Sequence, residues 1–399
     1  MELLQLLVEH NFNDDGNYEN HLSQFCTIKH KLPILGIIAV EITEDNLPQL
    51  LGAESTRLVY SNAVITTQNN ADNTQRRGDL CGRPHTPTGK GIGIAILDTG
   101  VAPVDDLILP TNRLTTFVDM VNNRNTPYDD NAHGTHVAGI AAGSGFRSEG
   151  RFTGTAPESN IIAIKVLDES GKGSIADVLA GIEWMIEHKD THNIRVANLS
   201  IGIDASETDD TTTIRKGTHC ASATVSCTSE KSADLLVKAV EMAWDSGIVM
   251  CVAAGNNGPD ASSVTSPGIS KKVITVGACD DDLESDMRPN FSGRGPTSDC
   301  IIKPDCLAPG CSVISCLSNS TELSDKRLAK LKRVDNHYAR MSGTSMSSPY
   351  VAGAIALLLE KKTHLTPDEV KLLIKQSCRT INEPYNRQGW GIFDITKLV

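Results

Sequence analysis

Short, almost unbroken apolar runs alternate along the chain with longer segments whose apolar residues recur at helical spacing. Ile94–Leu97, Ile161–Val166, Val196–Leu199, Ile248–Val252 and Val273–Val276 read as strands buried on both faces. Between and after them, Ile175–His188, Ala233–Trp244, Met346–Leu359 and Pro367–Lys375 read as helices. The alternation predicts an α/β fold of three layers, with a doubly wound, mostly parallel sheet and helices on both faces. In such sheets the working residues gather at the carboxyl ends of the strands.

The first 80 residues follow a different pattern. L-P-I-L-G-I-I-A-V-E-I-T reads as a strand, E-D-N-L-P-Q-L-L as a short helix and T-R-L-V-Y-S-N-A-V-I-T as a second strand, before a polar stretch from Thr67 to Thr88. The expected organisation is a small α+β extension over residues 1–70, a linker over 71–88 and one large domain over 89–399.

Composition supports this division and narrows the function. The chain has 399 residues, of which 39% are hydrophobic, enough to fill one large core and a smaller one. A formal charge of −12 argues against nucleic-acid binding, because the one basic run, K-R-L-A-K-L-K-R at 326–333, is too local to make a positive footprint. That run is expected to be the solvated face of a short helix or loop.

No stretch approaches the roughly 20 apolar residues that cross a bilayer, so no membrane partner is expected. The start, M-E-L-L-Q-L-L-V-E-H, lacks the basic, apolar and small-residue segments of an export signal. A cytoplasmic location is expected, with secretion by a non-classical route as the alternative. Eleven scattered cysteines suit a reducing compartment. Cys220 and Cys227, both in the Ser/Thr/Cys-rich stretch 204–232, could close a local loop, although free thiols are expected there. Cys251 is expected to be a buried, inert thiol.

Three motifs carry chemistry. G-I-G-I-A-I-L-D-T-G places Asp98 at the end of a strand, D-D-N-A-H-G-T-H-V-A-G carries His133, and M-S-G-T-S-M-S-S-P-Y-V-A-G carries Ser345 at the start of a helix. A serine hydroxyl becomes a nucleophile when an imidazole takes its proton, and a carboxylate then fixes the tautomer of that imidazole and stabilises its charged form. Taken singly, Asp98 could cap a turn and Ser345 a helix. Gly91 and Gly93 precede their strand instead of following it, unlike a dinucleotide fingerprint. His133 and His136 are three apart with Gly134-Thr135 between them, unlike the helical zinc pattern, which spaces its histidines by four with a glutamate between. His136 is expected to pack or hydrogen-bond on the helix that His133 begins.

Together the three strings resemble the signatures of the subtilisin-like serine proteases, the subtilases, in that family's order Asp, His, Ser. A fourth string, V-M-C-V-A-A-G-N-N-G-P, is similar to the family segment that supplies the oxyanion-hole asparagine, here Asn256. The resemblance covers roughly residues 85–395 and is nearest to the intracellular, AprX-like branch.

It implies a serine endopeptidase with a catalytic triad of Asp98, His133 and Ser345. Ser200, Ile201 and Gly202 would line one wall of the first specificity pocket, and Ala253, Ala254 and Gly255 the other, with Thr265 near the floor favouring medium apolar P1 side chains. Gly171 and Gly173 would flank an extended substrate on its opposite side, although an ordinary turn is the alternative for both.

Residues 1–70 look like the carboxyl half of a subtilase propeptide that inhibits by laying its tail in the cleft, with self-cleavage expected within 65–85; the alternative is an extension that merely packs on the catalytic domain. The stretch 204–232 departs from the branch by its length and is a candidate flap or specificity element. The loop G-S-G-F-R-S-E-G-R-F-T-G has one acid and two arginines, which does not suit calcium. No cofactor is required; calcium stays possible elsewhere, where Asp129, Asp130, Asp281 and Asp282 could form a site, but surface acids are normally solvated and no metal ligand is assigned. Two other classes stay open: a non-catalytic peptide-binding subtilase, and a metal-dependent hydrolase using His133 and His136.

Overall fold

The computed structural model describes residues 3–10, 17–53, 56, 58–67, 87–203, 224–226, 229–279 and 291–399. The chain opens with β1 (Leu3–Glu9), α1 (Asn17–Leu22), β2 (Cys26–Leu32), β3 (Ile37–Thr43), α2 (Leu47–Gly52), β4 (Leu58–Ser61) and β5 (Val64–Thr67). The main domain begins with β6 (Gly93–Asp98), α3 (Asp105–Ile108), β7 (Leu114–Asp119), α4 (His133–Ala142) and β8 (Asn160–Lys165). It continues through β9 (Lys172–Ser174), α5 (Ile175–His188), β10 (Ile194–Leu199), β11 (Ile201–Ile203), β12 (Thr224–Ser226), α6 (Ser229–Asp245), β13 (Val249–Ala253) and β14 (Ile274–Cys279). It closes with β15 (Cys306–Pro309), β16 (Val313–Cys316), α7 (Asp325–Lys330), β17 (Lys332–Arg333), β18 (Tyr338–Met341), α8 (Thr344–Lys361), α9 (Pro367–Ser377), β19 (Cys378–Arg379), α10 (Tyr385–Gln388) and β20 (Ile392–Phe393).

The main sheet runs in the order β19-β20-β15-β14-β13-β10-β6-β8-β7, parallel except where β19 meets β20. Every residue of β6, β13 and β14 is buried, as the unbroken apolar runs required. Helices α4 and α8 pack together on the sheet, and α5 and α6 form a second packed pair. Hydrophobic burial of this kind is non-directional, so the sites depend on where the strands end.

The amino-terminal sheet has the order β12-β4-β1-β3-β2. Side chains along its strands alternate with period two, and β3, between β1 and β2, buries both faces. Leu6, Val8, Ile38, Val40 and Val59 pack with Tyr18, Leu22, Leu47 and Leu50 in a core of their own. Leu7, Ile37, Ala39 and Tyr60 point the other way and join the main core. At this junction Asp177 of α5 pairs with Lys29 at 3.0 Å and His30 at 2.9 Å. Glu183, two helical turns on, accepts the backbone N–H groups of Ile34 and Leu35, each at 3.2 Å.

Sequence patterning misplaces several boundaries here. The run 32–43 is one apolar stretch, yet it breaks at a turn that ends on Gly36 with φ +70°, so β3 starts only at Ile37. The run 56–66 divides into β4 and β5, which belong to different sheets. β1, which lies between β4 and β3, carried no strand assignment because its apolar residues do not alternate cleanly with polar ones.

Candidate active site

Asp98 is the last residue of β6 and His133 the first of α4, so a strand end and a helix start meet. Close approach is possible because Gly134 has no side chain: a Cβ there would lie 2.0 Å from the Gly100 carbonyl oxygen. His133 Nδ1 lies 2.6 Å from Asp98 Oδ1, which also accepts the Thr99 N–H at 2.8 Å. A neutral imidazole that donates from Nδ1 keeps its lone pair on Nε2.

Ser345 is the second residue of α8, after Gly343 with φ +149°. Its Oγ donates to the Ser200 carbonyl at 3.1 Å, while Ser200 Oγ donates to the Ser345 carbonyl at 3.0 Å. His133 Nε2 is buried with no hydrogen-bond partner among the described residues. The hydroxyl is therefore turned toward the β10–β11 junction in this state. Asn256 Oδ1 accepts both the N–H and the hydroxyl of Thr344 at 3.1 Å, which orients its amide and leaves Nδ2 as the donor end.

Two aspartates expected at the surface are buried instead. Asp129 accepts from Thr99 Oγ1, from the N–H groups of Asn131, Ala132 and Thr135, and from Thr135 Oγ1. These bonds hold the turn in which Ala132 takes φ +77° immediately before His133. Asp130 pairs at 2.8 Å with the fully buried Lys165, whose Nζ also donates to the carbonyls of Thr99 and Leu167. Burial pushes the Asp130 carboxyl above its usual range despite that partner. The motif D-D-N-A-H contains both residues, but only folding shows that they are structural.

His136 serves the same scaffold. Its Nε2 lies 3.2 Å from the Val313 carbonyl and 3.1 Å from that of Ala339, so this nitrogen carries a proton and is not free to ligate a metal. Burial pushes its pKa down to about 3. The basic run also departs from a purely solvated face: Arg327 on α7 donates to Asn131 O and Oδ1, each at 2.8 Å.

Beside these residues lies an occupied groove. β5 sits between β11 and β9 as the central strand of an antiparallel three-stranded sheet. Thr66 faces Gly202 on one edge and Lys172 on the other; Ile65 faces Ile203 and Gly173. Thr67 donates to the Gly171 carbonyl at 3.0 Å and pairs with Ile201. Gly171, with φ +80°, both turns the chain and lets Thr67 approach, since a Cβ there would lie 3.0 Å from Thr67 Oγ1. With the groove filled, Asp98, His133 and Ser345 are all 0% exposed.

Ala253 ends β13, Ala254 follows it, and both are fully buried. Thr265 donates its N–H to the Ala254 carbonyl at 3.1 Å and packs so closely on Gly255 that a Cβ there would lie 2.6 Å from Thr265 Oγ1. Sequence reading did not give the register of β5, and it did not foresee Asp177 or Glu183.

Cys251 is fully buried, and burial raises its thiol pKa well above the ordinary value. Cys220 and the acids Asp281 and Asp282 lie outside the described residues, as does Cys227. Among the described residues no helix is long and apolar enough to cross a membrane, and no cluster of three His, Cys, Asp or Glu side chains could hold a metal ion.

Comparison with known proteins agrees with this geometry. The model of the subtilase family matches residues 89–391. Serine protease AprX of Bacillus subtilis (strain 168) is 41% identical over 385 residues, covering 93% of this chain and 81% of that protein. A thermostable alkaline protease of Halalkalibacterium halodurans is 28% identical over 364 residues, 89% of this chain and 81% of that protein. Among solved structures, an epidermin leader peptide processing serine protease of Staphylococcus aureus superposes with a TM-score of 0.72 at 19% identity, covering 100% of this chain and 99% of that one. Fervidolysin of Fervidobacterium pennivorans gives 0.70 at 21% identity, covering 100% and 61%. At such identities the two structures speak for the fold. The chain belongs to the subtilase family and is a subtilisin-like serine endopeptidase.

Proposed function

We propose that Ser345 is the nucleophile of this endopeptidase, His133 its base and then its acid, and Asp98 the group that orients His133. For reaction, Ser345 Oγ leaves the Ser200 carbonyl, to which it donates here, and donates to His133 Nε2 instead. The hydroxyl then attacks the peptide carbonyl as its proton passes to Nε2. The resulting oxyanion is held by Asn256 Nδ2 and the Ser345 N–H at the start of α8. Collapse breaks the C–N bond, His133 returns the proton to the leaving amine, and water releases the acyl group by the same route.

Substrate binds as an extended strand between β11 and β9, so main-chain hydrogen bonds supply affinity with little sequence choice. Gly171 and Gly173 line one side, Ser200, Ile201 and Gly202 the other. Ala253, Ala254 and Gly255 form the far wall of the first pocket. Thr265 shortens that pocket and favours medium apolar P1 side chains. The protease acts in the cytoplasm and needs no cofactor.

Residues 1–70 act as an intramolecular inhibitor, and residues 71–88 link them to the catalytic domain, 89–399. The observation that carries this reading is β5 lying in the groove as a substrate strand would. Its antiparallel register carries Thr67 to Ile201, next to Ser200. Self-cleavage is expected within residues 65–85.

The test is intact-mass analysis of the wild type beside Ser345→Ala, with fluorophosphonate labelling of both. A trimmed, labelled wild type and a full-length, unlabelled variant are expected. A wild type that neither trims nor labels would leave the groove as a peptide-binding site without chemistry.

A further inference from the structure

We propose that β12 is a latch, a docking strand by which the catalytic domain retains its amino-terminal segment after the connecting bond has been cut. The inference rests on the inhibitory reading above and adds the element that keeps the severed segment in place.

β4 would be the outer strand of the antiparallel set β4-β1-β3-β2, with its outer edge unpaired. Such an edge is a ready template for another strand. It is covered by a strand from more than 150 positions later in the chain: Thr224 faces Leu58, Val225 faces Val59 and Ser226 faces Tyr60. This contact is the one parallel pairing in that sheet among the described residues. A parallel pair has no local turn to enforce it, so β12 reaches β4 only because the main domain carries it there.

The carrier is firmly placed. β12 ends three residues before α6 begins, and α6 buries Leu236, Ala239, Val240 and Ala243 in the main core. The same helix approaches β4 from a second direction. Tyr60 has its phenol pushed up to about 12, first by burial, then by Glu9, with Asp234 of α6 adding to the effect. In chain order β12 is the next strand after β11, one wall of the groove. Within the stretch that stood out by length, residues 224–226 pair with the amino-terminal sheet.

Cutting after β5 ends the covalent tie but leaves β12 paired to β4. Dissociation must then break that pairing together with the Asp177 and Glu183 contacts, so active enzyme appears later than cut enzyme.

The test follows purified full-length chain in time, reading the cut by intact mass and free active site by hydrolysis of a short peptide. Val225→Pro removes a strand N–H without touching the catalytic groups. Cutting at the wild-type rate with a lag before hydrolysis shortened about tenfold is expected, the effect of losing about one or two backbone hydrogen bonds. An unchanged lag would overturn the latch.

A second measurement covers a variant that fails to fold, and a wild type that fails to cut. In the full-length Ser345→Ala chain, the amides of 224–226 should exchange with deuterium at least tenfold more slowly than in an unstructured peptide. Exchange at the peptide rate would refute the pairing whatever becomes of the protease reading.

Discussion

β5 and β12 cross between the two sheets in opposite directions, and their settings differ. β5, from the amino-terminal segment, lies antiparallel between two strands of the main domain, with Thr67 opposite Ile201. β12, from the main domain, lies parallel against β4 alone at the edge of the amino-terminal sheet. A central strand hydrogen-bonds on both sides and an edge strand on one, so β5 has twice the backbone partners per residue. The strand that must be displaced for work is thus the better held, and cutting it is the natural way to weaken it. β12 is spared by the reaction and can outlast it.

The comparison breaks most severely if β5 is never cut. Ser345→Ala should lower turnover by about 10⁴- to 10⁶-fold and leave the chain at full length, read by intact mass; normal trimming of that variant in isolation would mean that another agent cuts it. Asn256→Ala should slow both self-cleavage and peptide hydrolysis by about 10²- to 10³-fold through kcat with KM little changed, since one oriented donor to the oxyanion is lost. An effect confined to KM would place the amide in substrate binding instead.

Acid sharpens the contrast between the groove and the junction. Burial pushes the Asp177 carboxyl up, but bonds from His30 and Ser174 and the charge of Lys29 outweigh it and hold the group below its usual value. A depressed carboxylate contributes fully above its unfolded pKa of about 3.9 and loses that contribution as pH falls through the lower folded value. Retention of the cut segment on gel filtration should therefore weaken below about pH 4 in the wild type. Asp177→Asn should retain it about tenfold less at neutral pH and lose the part of the acid dependence that this carboxylate supplies. An acid profile unchanged by the substitution would remove Asp177 from the junction.

The smallest effect expected is at the pocket. Thr265→Gly should raise cleavage after Phe relative to Ala by about tenfold in matched peptides, by opening space for a larger side chain. A ratio unchanged from wild type would place the pocket floor elsewhere.

Much of this was legible without coordinates. Strands β6, β8, β10 and β13 fall within one or two residues of their apolar runs, β14 runs three residues further, and α5 spans Ile175–His188 as its periodicity predicts. Doubly buried strands and amphipathic helices leave strong local signals. The amino-terminal sheet left weaker ones, because each of its faces is covered by a different partner and its apolar runs blur turns such as the one ending on Gly36. Asp129 and Asp130 looked like solvated acids because charge alone does not report burial; their partners, Thr135 and Lys165, are set by folding.

The sequence by itself determined the residue types, their order and the elements that carry them: a carboxylate at a strand end, an imidazole and a hydroxyl at helix starts, and small residues where backbones must approach. These are local matters of propensity, periodicity and side-chain chemistry. Tertiary structure alone decided that Ser345 turns to Ser200 while β5 fills the groove, that Asp129 braces the turn before His133, and that a strand from after β11 closes the amino-terminal sheet. Such pairings join positions far apart in the chain through backbone groups that every residue possesses, so no side-chain pattern announces them.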